Sequence, residues 1–268
     1  MRTAIRRLNH FRLSLVKHTI SAYAAQTAFF VLLAFFPFMM LVLETLKYLP
    51  FTETEFLGLI LSITPDTLRS AIESLVSELY TKQTNWIPLS AVTALWSSSK
   101  GVYSLMNGMN NVYNCRETRN YVKRRGLAIL YTVIFIAVLL ASIGVILFTE
   151  WLLTQVISFL GLQAIITAVR MVMQILLLSL LFTVIYRFFP AEKRKIPKLL
   201  PGAVISACGW IAFTELYSIY ITIKNTDIYG SLATVVLTIL WLYICIYILL
   251  IGAEINVFLA RLENNEIK

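Results

Sequence analysis

The chain has 268 residues, 59% of them hydrophobic and 14% charged, with a mean hydropathy of +0.77. Soluble globular domains carry about 25% charged residues, and a chain this short cannot hide so much apolar surface in one core, so lipid must solvate much of it. The formal charge of +9, which in a soluble protein would suggest nucleic acid, becomes instead a question of where the basic residues lie, because they concentrate in cytoplasmic loops of membrane proteins.

The N-terminal segment, residues 1–20, is basic (Arg2, Arg6, Arg7, Arg12, Lys17), with Ile5, Leu8, Phe11 and Leu15 on one side of a helix. That pattern suits an anionic inner leaflet. The apolar run that follows continues to about Tyr48, too long for a signal-peptide core of about 7–15 residues. The Ala22-Tyr23-Ala24 triplet falls before the run, on the wrong side for cleavage. The pattern predicts a retained signal-anchor.

Crossing a hydrocarbon layer of ~30 Å takes about 20 apolar residues. Five segments meet this plainly: 21–48, 127–149, 164–188, 199–223 and 231–259. A sixth, 86–106, is weaker because it contains Ser97-Ser98-Ser99-Lys100-Gly101. Loop charge decides it. With six spans, the N-terminus, 107–126, 187–198 and the C-terminus share one side and hold 17 of the 23 Lys and Arg residues. Without the sixth span the basic clusters would face opposite sides. The expected fold is therefore all-α, a single polytopic membrane domain over 1–268. Six transmembrane helices and amphipathic interfacial helices make it up, with both termini cytoplasmic. Pro37 within the first span predicts a kink or interruption.

The outer region 50–85 holds a helix start at Thr64-Pro65-Asp66, followed by Leu68, Ile72, Leu75, Val76 and Leu79 at helical spacing. Its polar face is acidic, which favours packing on its own bundle over a lipid surface. Cys115, Cys208 and Cys245 are isolated and predict neither a disulfide framework nor a metal site.

Ionisable groups within spans cost about 2.5–3.5 kcal/mol each at the helix centre. Four occur: Lys100, Arg170, Glu215 and Glu254. Counted at 1.5 Å per residue, Lys100 and Glu254 lie roughly 8–10 Å from the inner ends of their spans. Arg170 and Glu215 lie roughly 9–12 Å from the outer ends. Matching depths suggest an inner pair and an outer pair; the alternative is that each long side chain snorkels to its nearest interface. Ser97, Ser98, Ser99 and Asn107 surround Lys100, so the second span is expected to line a polar cavity open toward the cytoplasm. Pro201-Gly202-Ala203, Ser206, Ala207 and Gly209 start the fifth span with small residues that permit close helix approach.

Two stretches resemble the YihY/BrkB family. One is Leu95-Trp96-Ser97-Ser98-Ser99-Lys100-Gly101 with Asn110-Asn111-Val112-Tyr113 and Arg119; the other runs from Leu200-Pro201-Gly202-Ala203 through Trp210, Tyr220, Tyr229-Gly230-Ser231 and Leu240-Trp241-Leu242-Tyr243 to Gly252-Ala253-Glu254-Ile255-Asn256. The resemblance implies a six-helix bacterial inner-membrane protein with motif positions Trp96, Asn111, Tyr113, Arg119, Pro201, Gly202, Tyr229, Gly230, Trp241, Gly252, Glu254 and Asn256. Members are linked to serum resistance or to movement of lipid, and the family once carried a ribonuclease BN-like label. Lys100 stands where the resemblance leads one to expect a small residue.

Three functions are weighed. A transporter or flippase of a lipid or other anionic amphiphile accounts for the buried charges and the polar second span. No Walker A pattern is present, so transport would use a gradient, a partner or passive exchange. A nuclease would need gathered metal-binding carboxylates or acid–base residues. His10 and His18 are the only histidines, and no catalytic residue, metal or cofactor is expected. The third reading is a non-catalytic scaffold or envelope-regulatory protein. Membrane lipids are the expected partners, together with a lipid-like substrate, and nucleic acid is not.

Overall fold

The computed structural model describes residues 2–46, 87–135, 163–223 and 230–263, with isolated positions between them. All secondary structure among these residues is helical. In chain order the helices are α1 (Arg2–Lys17), α2 (Ile20–Leu46), α3 (Ile87–Val112), α4 (described over residues 121–135), α5 (Gln163–Phe188), a short 3-10 turn (Ile196–Lys198), α6 (Leu200–Ile223) and α7 (Gly230–Glu263). Val169–Phe188, Leu200–Ile221 and Val235–Glu263 are long and apolar enough to cross a membrane. Ile20–Ala34 is a shorter apolar helix.

α1 ends because Thr19 takes a positive φ of 45°. Its N–H closes on the Val16 carbonyl at 3.0 Å, and that of His18 on Ser14 at 2.9 Å. The chain turns there and re-enters a helix at Ile20, making an elbow between α1 and α2. α1 leans back on the far end of α7, where Phe11 meets Phe258 edge-on with ring centroids 5.5 Å apart.

The most extensive helix pairing is α2 against α3. Ile20, Ala24, Thr27 and Ala28 form a buried stripe on α2, opposed by Gly101, Ser104 and Gly108 on α3. Where Gly108 has only hydrogen, an added Cβ would lie 3.1 Å from Tyr23 Cβ. At Gly101 it would lie 2.9 Å from Val31 Cγ2. Thr27 Oγ1 donates to Ser104 Oγ at 3.0 Å between them. Small residues on both helices thus let two backbones approach closely, which adds dispersion contacts between them.

α6 and α7 pack in the same manner. Gly202, Ala203, Ser206 and Ala207 are buried on α6, facing Leu249, Gly252 and Ala253 of α7. Tyr186 from α5 completes the contact by donating to the Leu249 carbonyl at 2.7 Å and meeting Ser206 Oγ at 3.0 Å. Phe182, Trp210 and Trp241 continue it as a ladder of aromatic rings.

Several expectations change in detail. α2 is helical without a break through Pro37, so no interruption is present. The weak sixth segment is a helix that runs on to Val112, placing Asn110 and Asn111 in its last turn instead of in a loop. A Schellman-type cap ends it: Asn114 has φ 53° and the Cys115 N–H reaches the Asn110 carbonyl at 2.8 Å. The helix expected within 50–85, apart from isolated helical positions such as Glu73 and Ser77, lies outside the described residues, as do Tyr229 and most of 127–149.

Candidate functional site

Three polar clusters stand out among the described residues, two of them at the elbow end of the bundle and the third further along α3. The first is the elbow itself. His18 Nδ1 and Glu254 Oε2 are 2.7 Å apart, with both side chains buried. Asn111 holds the elbow backbone by donating to the His18 carbonyl at 2.6 Å. Asn256, one turn beyond Gly252 on α7, accepts the Gly202 N–H at 2.7 Å and donates to the Leu199 carbonyl at 3.1 Å. It therefore caps the start of α6 from a different helix, satisfying a donor that has no partner within its own helix. Pro201 in that first turn needs no donor of its own. Tyr113 is also buried here; Asn256 lies beside its hydroxyl, yet no atom of the described residues closes to a hydrogen bond. Burial raises the pKa of that hydroxyl, keeping it a neutral donor.

The second cluster joins two connections. Glu117 takes Arg119 Nε at 2.7 Å and Nη2 at 2.8 Å, a bidentate pair. Asn110 Nδ2 donates to the same carboxylate at 2.8 Å, and Asn110 Oδ1 accepts the Ala191 N–H at 2.7 Å. The hydrogen bond from Arg119 is the largest cause holding the Glu117 carboxyl below its ordinary pKa. Arg194 stacks over the Tyr113 ring at 4.7 Å and donates to its carbonyl. The segment after α5 is thereby tied to the end of α3.

The third is a cleft of about 240 Å³ between α2, α3 and α4. Gln26, Phe30, Trp96, Lys100, Tyr103, Ser104, Tyr121 and Arg125 line it. Lys100 Nζ lies 6.0 Å from the centre of the Phe30 ring, and the ion pairs among the described residues do not include it. Arg125 is 6% exposed. Its guanidinium stacks 4.4 Å above Trp96 and donates through Nη2 to the Trp96 carbonyl at 2.6 Å, while its buried Nε–H has no acceptor among the described residues. Two cations and an unused donor thus share one cleft with four aromatic rings. Trp96 is 49% exposed at its edge, and Val92 one turn further along α3 is 63% exposed.

The structure separates the expected inner pair. Glu254 is taken by His18, and Lys100 lies in the cleft. The reason is register. Gly108 is the α3 residue that faces Leu250, so Lys100 lies eight residues back from that level and Glu254 four residues beyond it. At 1.5 Å per residue the offset is about 18 Å. Depth counted from the expected span end at Met106 missed the six further residues of α3. Arg170 and Glu215 are both exposed, on α5 and α6, and the described ion pairs do not join them.

The serines are individually accounted for. Ser98 and Ser99 donate back to the Leu95 and Trp96 carbonyls at 3.3 and 2.9 Å, Ser99 being wholly buried; Ser97 is half-buried. None of the three lines the cleft, whose polar members are Gln26, Lys100, Ser104 and Arg125 with the tyrosines. Gly230 begins α7, and Trp241 meets Trp210 edge-on at 6.2 Å. Sequence reasoning passed over His18, Glu117 and Arg125. His18 had a signal: it follows Phe11, Ser14 and Leu15 at helical spacing, on the face that packs inward. Arg125 had none, because it belongs to a basic run that loop charge alone explains.

Comparison with known proteins identifies relatives and a family. A relative named "Putative ribonuclease-like protein YfkH" from Bacillus subtilis (strain 168) is 27% identical over 251 residues, covering 91% of each chain. A protein of Idiomarina loihiensis named "UPF0761 membrane protein IL2447" is 37% identical over 84 residues, 31% of this chain and 30% of its own. A "UPF0761 membrane protein" of Psychromonas ingrahamii is 32% identical over 101 residues, 35% of each. No solved structure matches. The family model described as "Virulence factor BrkB" matches residues 13–268, the span that holds the elbow, the cleft and the α6–α7 contact, and the chain belongs to that family of membrane proteins.

Proposed function

We propose that this protein is a non-catalytic, six-span transporter or flippase of the bacterial cytoplasmic membrane. Both termini are on the cytoplasmic side, and the substrate is a lipid or another anionic amphiphile. The cleft carries the reading. Lys100 and the unused Nε–H of Arg125 offer positive charge and a hydrogen-bond donor with no acceptor among the described residues. Unpaired charge near lipid is costly and is retained where it meets a ligand or ion. At about 240 Å³ the cleft is smaller than the roughly 300–1,000 Å³ of pockets that enclose a drug-sized ligand. It suits a headgroup, with the apolar chains following exposed Trp96 and Val92 into lipid. The basic connections around it match the positive-inside distribution, which supports the six-span orientation.

The test is reconstitution of the full chain into liposomes containing a fluorescent anionic phospholipid. Movement between leaflets should exceed the rate in empty vesicles, and Lys100→Met should reduce it several-fold while a zwitterionic probe moves more slowly. Movement at the empty-vesicle rate for every probe refutes transport. Binding without movement returns the protein to the scaffold reading.

A further inference from the structure

The transport reading leaves Glu254 unused. It is the most deeply buried acid among the described residues, at 1% exposure, and its partner His18 comes from the one non-helical turn between α1 and α2. We propose that the His18–Glu254 pair is a proton-binding site whose occupancy decides whether the elbow stays on α7.

The chemistry follows from the 2.7 Å separation of Nδ1 and Oε2, which leaves room for one proton between them. In the proposed resting state both ring nitrogens carry protons and the carboxyl is ionised, so Nδ1–H donates to Oε2 in a single charge-assisted hydrogen bond. A further proton, taken from water at the elbow end, settles on the carboxyl. The carboxyl is then neutral, and the oxygen it still offers to Nδ1–H accepts only a weaker bond without opposite charge. The imidazolium is left buried without a counter-charge, which strongly favours its return to water. Since His18 is part of the elbow, the backbone must move with it.

Among the described residues, other groups around the pair do not supply a substitute cation. Tyr113 at the end of α3 is within electrostatic reach of Glu254 and is neutral. Arg194 is committed to the Tyr113 ring and carbonyl. On α1 the neighbouring Lys17 is exposed, on α2 the nearest titratable group is Tyr23 beside Gly108, and at the start of α6 Lys198 is paired with Glu263 of α7 at 2.7 Å. A buried ion pair replaced by apolar side chains is often neutral or stabilising, so stability alone gives little reason for this one. The buried Tyr113 hydroxyl, without a hydrogen-bond partner among the described residues, marks the pocket as polar beyond what clamping the elbow requires.

Movement of the elbow reaches the cleft. α2 continues from it as one helix, and Gln26 and Phe30, which line the cleft, follow His18 by eight and twelve residues. The proton site stands without any ligand in the cleft, and it would give that site a proton-dependent wall.

An infrared pH titration of the full chain in lipid tests this, read beside hydrogen exchange of residues 14–24. The wild type should gain a protonated-carboxyl band on acidification, with elbow exchange rising along the same curve. Glu254→Gln should abolish the band. His18→Gln removes the group that ties the elbow to Glu254, so elbow exchange should already be fast at neutral pH and should no longer follow the carboxyl band. The wild-type titration and the His18→Gln arm stand even if Glu254→Gln does not fold. A wild-type spectrum that gains no carboxyl band while folded, or elbow exchange that ignores it, overturns the proposal. Sodium added at constant pH that releases the elbow also overturns it, in favour of a metal cation. Lipid movement in liposomes is measured separately, so failure of the proton site and failure of transport are distinguishable.

Discussion

Replacing Gly252 by alanine should weaken the protein more than any other single methyl addition at its described glycines outside Gly202. The new Cβ would overlap Ser206 Oγ and the Tyr186 hydroxyl and would lie 2.7 Å from the Gly202 carbonyl. The first two are side-chain atoms, but neither is free to leave. Tyr186 donates to the Leu249 carbonyl, and Ser206 donates to the Ile248 carbonyl at 3.1 Å. Overpacking costs about 1–3 kcal/mol, and a buried hydrogen bond lost with its partner stranded adds about 1–3 kcal/mol. The higher helix propensity of alanine returns about 1 kcal/mol. The net is about 1–5 kcal/mol, a fall in melting temperature on the order of 10 °C. Gly209→Ala is the control on the same interface. Its Cβ would meet only a side-chain methyl of Ile248 at 3.3 Å, and the change should stay within about 1 kcal/mol. Thermal unfolding of both variants in detergent, followed by size-exclusion fluorescence, makes the comparison. Adding Ser206→Ala to Gly252→Ala should recover part of the loss, since it removes one of the overlapping atoms. Equal melting of the Gly252 and Gly209 variants would refute the argument that backbone contact at Gly252 sets the α6–α7 distance.

Asn256→Ala strands the Gly202 N–H and the Leu199 carbonyl, so it should cost about 2–4 kcal/mol in the same melt, and Asn256→Asp should not rescue it. Single cysteines at positions 96, 100 and 103 should react with aqueous thiol reagents from the elbow side, while those at 99, 105 and 106 stay protected; uniform protection would remove the cleft. Because Arg119 holds the Glu117 carboxyl below its ordinary pKa, the stabilisation it gives is full above the unfolded-state value and is lost as pH falls through the lowered folded-state value. Glu117→Gln should therefore melt below the wild type at neutral pH and converge with it in acid. Thr19→Gly relieves a β-branched residue at positive φ and should melt at or above the wild-type temperature, by an amount worth about 1 kcal/mol.

Much of the fold was legible along the chain because a helix in lipid must satisfy its own backbone and show apolar side chains outward. The boundaries of α5, α6 and α7 fall within a few residues of those read from hydropathy. The small residues of α6 announced its contact, and the motif glycines Gly202 and Gly252 proved to be where two backbones meet. What could not be read was which polar residues face each other. Lys100 and Glu254 have opposite charge and similar distance from their expected span ends. They nevertheless stand about 18 Å apart along the bundle, since α3 continues past its apolar stretch and shifts the register. A sequence records the charge and period of each helix separately. The axial offset between helices arises only when small residues such as Gly108 and Ala24 choose the depth at which they interlock. That choice gave Glu254 to His18 and left Lys100 with Arg125.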